Sequence, residues 1–183
     1  QPVPGAFANR FQRAPLDLYE PEFQTRRQAD ITARLRELEA GQAASRIAAT
    51  LQDKLGIANT LIHWEFFESL DWQRVLTALP PRHLSLILQR MLQDLGQHRA
   101  GFPDLFCVDN NGNYQLLEVK GPNDKLRENQ RAWLEFFAHH DIPAAVILVE
   151  AAPQLAGVGV AGVPTGGATA SSTVAGAPDD AAG

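Results

Sequence analysis

Cysteine is nearly absent from the 183 residues: Cys107 stands alone, which excludes an internal disulfide and any zinc site built on paired cysteines, and fits a reducing cytoplasmic compartment. It sits in the apolar run Leu105-Phe106-Cys107-Val108 and reads as a buried strand residue. No apolar run is long enough and unbroken enough to span a membrane, and nothing near Gln1 resembles a charged stretch leading into the apolar segment of a secretory leader. The first residue is not Met, which suggests a piece of something longer. Positive charge is in short supply too, with 16 Lys and Arg against 21 Asp and Glu and a net charge of -5. A stand-alone nucleic-acid binder gains affinity by displacing counterions and is usually basic, so this chain alone should hold a polyanion weakly. No internal repeat is visible.

What is present suffices for one folded unit, since 45% of the residues are apolar. Residues 1–14 mix Pro, Gly, Phe and Arg without a period and form an irregular entry segment. Residues 15–98 read as a helical region. One helix is expected from near Pro21 to Ala40. A second, Ala43 to about Leu55, carries Ile47, Leu51 and Leu55 on one stripe and stops at Gly56. Two more are expected at 72–80 and 82–96, parted by Pro80-Pro81 and closed by Gly96.

At residue 99 the character changes, and 99–150 reads as a separate core. Leu105 to Val108 and Tyr114 to Val119 are strands around the turn Asn110-Asn111-Gly112-Asn113. A helical period returns from Asn123 to His140, and Ala144 to Val149 is a continuous apolar run of the kind found in a sheet covered on both faces. Residues 151–183, rich in Ala and Gly and without Lys or Arg, read as a disordered tail.

The hairpin carries the chemistry. Antiparallel pairing around the turn brings Asp104, at the head of the first strand, beside Glu118 near the end of the second. Two adjacent carboxylates suit Mg²⁺ or Mn²⁺, with the Val119 carbonyl and waters completing an oxygen shell. Period-2 alternation puts Glu118 and Lys120 on one side, with Val119 expected to face the core. A bound divalent cation would make water nucleophilic and polarise a phosphoryl oxygen, while Lys120 either orients and helps deprotonate that water or stabilises charge in the transition state. Gln130 falls within the apolar stripe Leu126, Gln130, Trp133, Phe137 and must find partners, either backbone or a water or phosphate at the site. Arg82, Arg90, Arg99, Lys125, Arg127 and Arg131 flank the motif, as a phosphate track or as a solvated face; Arg99 contacts phosphate or forms a salt bridge. His139-His140 fit a helix C-terminus better than a zinc site, His63 and His83 are isolated, and Glu65 and Glu68 fit an exposed helix face.

Gly101-Phe102-Pro103-Asp104-Leu105, then Leu117-Glu118-Val119-Lys120-Gly121-Pro122-Asn123-Asp124, then Gln130 and Trp133-Leu134, resemble the VRR-NUC branch of the PD-(D/E)xK nucleases. Ala14-Pro15-Leu16-Asp17-Leu18-Tyr19, Trp64-Glu65 and His98-Arg99-Ala100-Gly101 are similar to the matching region of the Fanconi-associated nucleases, bacterial type, so the likeness spans roughly 7 to 150. It implies an α/β fold with a restriction-endonuclease-like core, a mixed sheet flanked by helices, preceded by a helical region. It also implies a metal-dependent, structure-selective DNA nuclease, a 5′-flap endonuclease and 5′ to 3′ exonuclease in interstrand-crosslink repair, using Mg²⁺ or Mn²⁺. Carried over by motif, Asp104 and Glu118 are metal ligands with the Val119 carbonyl, Lys120 is catalytic and Gln130 is an active-site residue. The implied partners are branched or flapped DNA and an upstream part of the nuclease bearing a further acidic ligand and DNA-binding domains. The implied setting is the bacterial cytoplasm, at the nucleoid. Another PD-(D/E)xK nuclease, such as a Holliday-junction resolvase or a restriction-type endonuclease, or a non-catalytic DNA-binding module with the same fold, are the alternatives.

Overall fold

The computed structural model describes residues 3–9 and 11–150; the expected tail at 151–183 lies outside them. Among the described residues no helix is long and apolar enough to cross a membrane. The first helical stretch is divided where one helix was expected, into α1 (Phe23–Arg26) and α2 (Gln28–Glu39). The break is at Arg27, whose backbone leaves the helical region (φ -115°, ψ 11°). Its guanidinium donates to both oxygens of buried Asp17 at 2.8 Å and to the Phe23 carbonyl. Those bonds hold the Asp17 carboxyl below its usual range.

Helix α3 (Ala43–Lys54) ends as expected, with Gly56 at φ +78°. Then come α4 (Trp64–Ser69) and α5 (Trp72–Ala78); Asp71 caps α5 by accepting the Arg74 N–H. Helix α6 (Pro81–Gln93) starts on a proline, which loses no helical bond there. It does not run to Gly96. The chain turns extended at Asp94 (φ -154°), whose carboxylate accepts the Gln97 N–H and starts α7 (Leu95–His98), so Gly96 lies inside a helix instead of closing one.

Strand β1 (Leu105–Val108) pairs antiparallel with β2 (Tyr114–Lys120), from Leu105 opposite Leu117 to Val108 opposite Tyr114. Asp109 fixes the turn by accepting from the Asn111 and Asn113 backbones, and Gly112 takes φ +84°. Helix α8 (Glu128–His139) begins later than the expected Asn123. Asn123 sits at φ +72°, and Asp124 accepts the Gly121 N–H, so residues 121–124 form a turn and 125–127 are irregular in place of a first helical turn. His139 closes α8, and its C-cap is His140. Strand β3 (Ala144–Leu148) pairs parallel with β2, giving the sheet order β1-β2-β3.

The core is Tyr114 and Leu116 of β2 against Ile87 of α6 and Trp133 and Phe137 of α8, with Leu79 and Ile142. Stacked and edge-on rings, such as Phe102 on Trp133 at 5.2 Å and Trp133 on Phe137 at 5.2 Å, fill it. Strand β3 departs from expectation. Its apolar run is not enclosed on both faces: Val146, Ile147 and Leu148 are all exposed, Leu148 at 71%. An unbroken apolar run reports hydrophobicity without reporting how many layers cover it, and β3 here is one of the two outer strands of the sheet. Cys107 is likewise half-buried, not enclosed.

Candidate metal centre

Strand alternation assembles the site. In β2 the residues Tyr114, Leu116, Glu118 and Lys120 share the buried face, while Gln115, Leu117 and Val119 share the other. The expected assignment is thus inverted: Glu118 and Lys120, at 2% and 8% exposure, point under α8, and half-buried Val119 points away from the core. The apolar face runs out at Leu116, and the next two side chains on it are an acid and a base.

They satisfy each other. Lys120 Nζ lies 2.9 Å from Glu118 Oε1 and donates to Gln130 Oε1 at 2.9 Å. Gln130 Nε2 donates to the same Glu118 Oε1, closing a ring of three side chains. Gln130 Oε1 also accepts the Arg127 N–H at 3.0 Å, an otherwise orphaned donor at the start of α8. The backbone partner foreseen for the amide is present, together with the Glu118 and Lys120 side chains, and the first turn of α8 is tied to β2 through one side chain.

The register continues past Leu105–Leu117 to set Asp104 opposite Glu118. Asp109 N–H donates to the Asn113 carbonyl, so odd-numbered β2 residues turn their backbone groups to β1. The bonds Leu116 N–H to Pro143 and Val149 N–H to the Lys120 carbonyl show even-numbered ones turned to β3. Asp104 and Glu118 thus form a non-hydrogen-bonded pair, the kind in which side chains stand closest. Val119 would bond across to residue 103, which is a proline without an N–H. Its own N–H instead goes to Asp104 Oδ2 at 2.9 Å, and its carbonyl is left without a ladder donor from position 103.

The donor set fits a hard divalent cation. Every bond of Glu118 uses Oε1 and that of Asp104 uses Oδ2, which leaves one oxygen of each carboxylate, together with the Val119 carbonyl, for a ligand. Among the described residues no cluster of three or more His, Cys, Asp or Glu side chains forms a larger metal site.

The VRR-NUC domain family model matches residues 38–151. The chain belongs to this family. A Fanconi-associated nuclease 1 homolog of Pseudomonas aeruginosa is 37% identical over 148 residues, 80% of this chain and 26% of that protein. Fanconi-associated nuclease 1 of Homo sapiens is 34% identical over 137 residues, 72% of this chain and 14% of its own. The crystal structure of paFAN1 bound to DNA with a 2-nucleotide 5′ flap and a gap superposes with a TM-score of 0.76 at 35% identity, covering 83% of this chain and 28% of that one. This VRR-NUC chain therefore spans about a quarter of its bacterial relative, and the α/β fold expected from the sequence is the one found.

Within the VRR-NUC domain, Asp104, Glu118, Lys120 and Gln130 come together as the motif suggested. Of the six flanking cations, five are exposed and Arg90 is half-buried. Arg99 is exposed and donates to the Tyr19 hydroxyl at 2.7 Å. Arg90 is half-buried, its guanidinium over Trp133 and Phe136 at 4.8 and 4.7 Å. Lys125, Arg127 and Arg131 are exposed around the start of α8. Glu65 and Glu68 lie on an exposed helix face. His83 is not isolated, since its Nδ1 meets the Tyr114 hydroxyl at 2.6 Å. The part of Pro103 escaped the sequence reading; its signal, a residue without an N–H at the rung opposite Val119, appears only once the register is known.

Proposed function

We propose that the chain is the nuclease part of a metal-dependent DNA phosphodiesterase that cleaves 5′-flapped or branched DNA, acts as a 5′ to 3′ exonuclease and serves interstrand-crosslink repair. The observation that carries the proposal is the Asp104/Glu118 pair with Lys120 and Gln130 locked beside it, in a VRR-NUC chain similar to a protein crystallised with 5′-flap DNA. Asp104, Glu118 and the Val119 carbonyl would hold Mg²⁺ or Mn²⁺, which supplies an activated water and charge neutralisation at a phosphoryl oxygen. Lys120 is held by Gln130 and by Glu118, whose Oε1 lies 2.9 Å from its ammonium, and would orient the attacking water or meet charge developing on phosphate. Gln130 is the positioning residue, because it contacts Glu118 and Lys120 at once and is itself fixed by the α8 cap.

Two carboxylates make a sparse site, and the longer relatives leave room for a further acidic ligand and for DNA-binding domains. The test is cleavage of a labelled 5′-flap DNA with Mn²⁺ and with EDTA, by this chain alone and mixed with a longer polypeptide that includes the upstream part. Metal-dependent cleavage that Asp104→Asn abolishes is the expected result. Silence in every arrangement would favour the non-catalytic DNA-binding alternative.

A further inference from the structure

The two carboxylates reach the site by different routes. Glu118 lies within β2 and is tied to α8 through Gln130. Asp104 stands just outside β1, because the ladder ends at Leu105 opposite Leu117 and Pro103 brings no N–H to the rung opposite Val119. Its side chain accepts the Val119 N–H, but that bond forms only if the backbone beneath it is already in place. Its position therefore depends on the segment that precedes it, residues 99–103, which has no helix or strand of its own.

That segment is fastened to α8, chiefly through one residue. Trp133 is 1% exposed, and its indole Nε1 donates to the His98 carbonyl at 3.1 Å, where α7 ends. The bond satisfies a helix-end carbonyl that has no partner within its own helix. Phe102, two residues before Asp104, meets the same indole edge-on at 5.2 Å. Between these two contacts Gly101 packs so closely on α8 that a Cβ there would fall 2.7 Å from the Asn129 carbonyl carbon. The Arg90 guanidinium, 4.8 Å from the Trp133 ring centre, and Phe137, stacked at 5.2 Å, pack on the same ring. His98 is itself anchored, since its Nδ1 bonds the Arg90 carbonyl. Trp133 follows Gln130 by three residues, so both project from one face of α8. That face holds Glu118 and Lys120 through Gln130, and the approach to Asp104 through Trp133.

We propose that Trp133 is a positioning residue for Asp104: its indole N–H fixes His98, and with it the loop that sets the Asp104 carboxylate beside Glu118 for a divalent cation. The proposal rests on the reading of those two carboxylates as metal ligands. Any large apolar side chain could fill this part of the core. Only the directional N–H ties the loop to the helix that also carries Gln130.

The test uses the whole chain, first in EDTA. Hydrogen exchange followed by NMR compares two amides of β2: Val119, bonded to Asp104 Oδ2, and Leu116, bonded to the Pro143 carbonyl. Trp133→Phe keeps an aromatic ring and removes the N–H. It should speed exchange at Val119 relative to Leu116 by about fivefold or more, the net worth of one hydrogen bond. It should also weaken Mn²⁺ binding, read without DNA from the electron paramagnetic resonance signal of free Mn²⁺, on the order of tenfold. Ile87→Ala, which opens the same core from α6, should speed both amides together. Should the phenylalanine variant fail to fold, benzothienylalanine at position 133 keeps the bicyclic shape, lacks the N–H and carries the same comparison. Equal acceleration of the two amides, an unchanged Val119, or Mn²⁺ bound with equal affinity by both proteins overturns the proposal. Selective acceleration at Val119 in a chain that binds no Mn²⁺ with either residue keeps Trp133 as the support of Asp104 and removes the metal-centre reading.

Discussion

Lys120 shows why identity and burial must be read together. Sequence suggests a functional lysine, and its ammonium is also the counter-charge of Glu118, which is 2% exposed. Lys120→Ala leaves that carboxylate buried without its cation, and loss of stability on the order of 3 kcal/mol is expected in metal-free buffer. Thermal melts should recover part of the loss on adding Mn²⁺, which replaces the missing charge; equal melting with and without Mn²⁺ contradicts the ligand assignment of Glu118. Asp104→Asn keeps an oxygen to accept the Val119 N–H and sits exposed, so it should cost under about 0.5 kcal/mol in stability while abolishing cleavage. His83 titrates with a predictable sign. Burial, then nearby Arg82, lowers its pKa from 6.5, and burial pushes the Tyr114 hydroxyl up to about 12, so neutral His83 accepts the bond from Tyr114. The unfolded chain binds the His83 proton more readily; its contribution is therefore full above pH 6.5 and is lost as pH falls from there toward the folded pKa. The difference in melting temperature between the protein and His83→Gln should shrink across that interval. The depressed carboxyls Asp17, Asp109 and Glu37 act lower, below their ordinary 3.8 and 4.5.

Two glycines differ in what their elements ask of them. Gly112 adopts φ +84° in the hairpin turn with nothing within 4 Å of a would-be Cβ, so Gly112→Ala should cost roughly 1–2 kcal/mol, the left-handed penalty alone. Gly101, at φ +83°, adds a collision with the Asn129 backbone, and Gly101→Ala should cost roughly 2–5 kcal/mol by urea midpoint. It should also impair the site, because the loop to Asp104 cannot then approach α8. The hairpin was legible because Asn, Gly and a two-residue period specify it locally. The start of α8 was not, because the left-handed Asn123 and the Asp124 turn override a helical spacing that continues through them.

At the scale of the whole chain, the sheet carries helices against Tyr114 and Leu116, while its other face bears Leu105, Leu117, Val119 and Ile147, with Leu105 46% exposed. An apolar outer strand of this kind promotes edge-to-edge association. Concentrated samples should show rising hydrodynamic radius in light scattering, and Ile147→Lys should lower it; an unchanged radius would show that this face is covered in solution. The charge of -5 belongs to the same scale: on the proposed reading, long-range repulsion from a DNA substrate would be offset by local cations around α8 or by other parts of a longer chain.

The sequence by itself determined the parts whose cause is local: the hairpin and its turn, the alternation that puts Glu118 and Lys120 on one side, the amphipathic helices, and the motif that marks the VRR-NUC family. Tertiary structure decided which side of β2 is inside, since alternation gives two faces and only the packing of α8 chooses between them. It also decided that Gln130 joins Glu118 to Lys120, that Pro103 leaves the Val119 carbonyl without a ladder donor, and that Trp133 meets the His98 carbonyl. Each of these depends on residues distant in the chain meeting in a given register, and a periodic pattern carries no information about its partner.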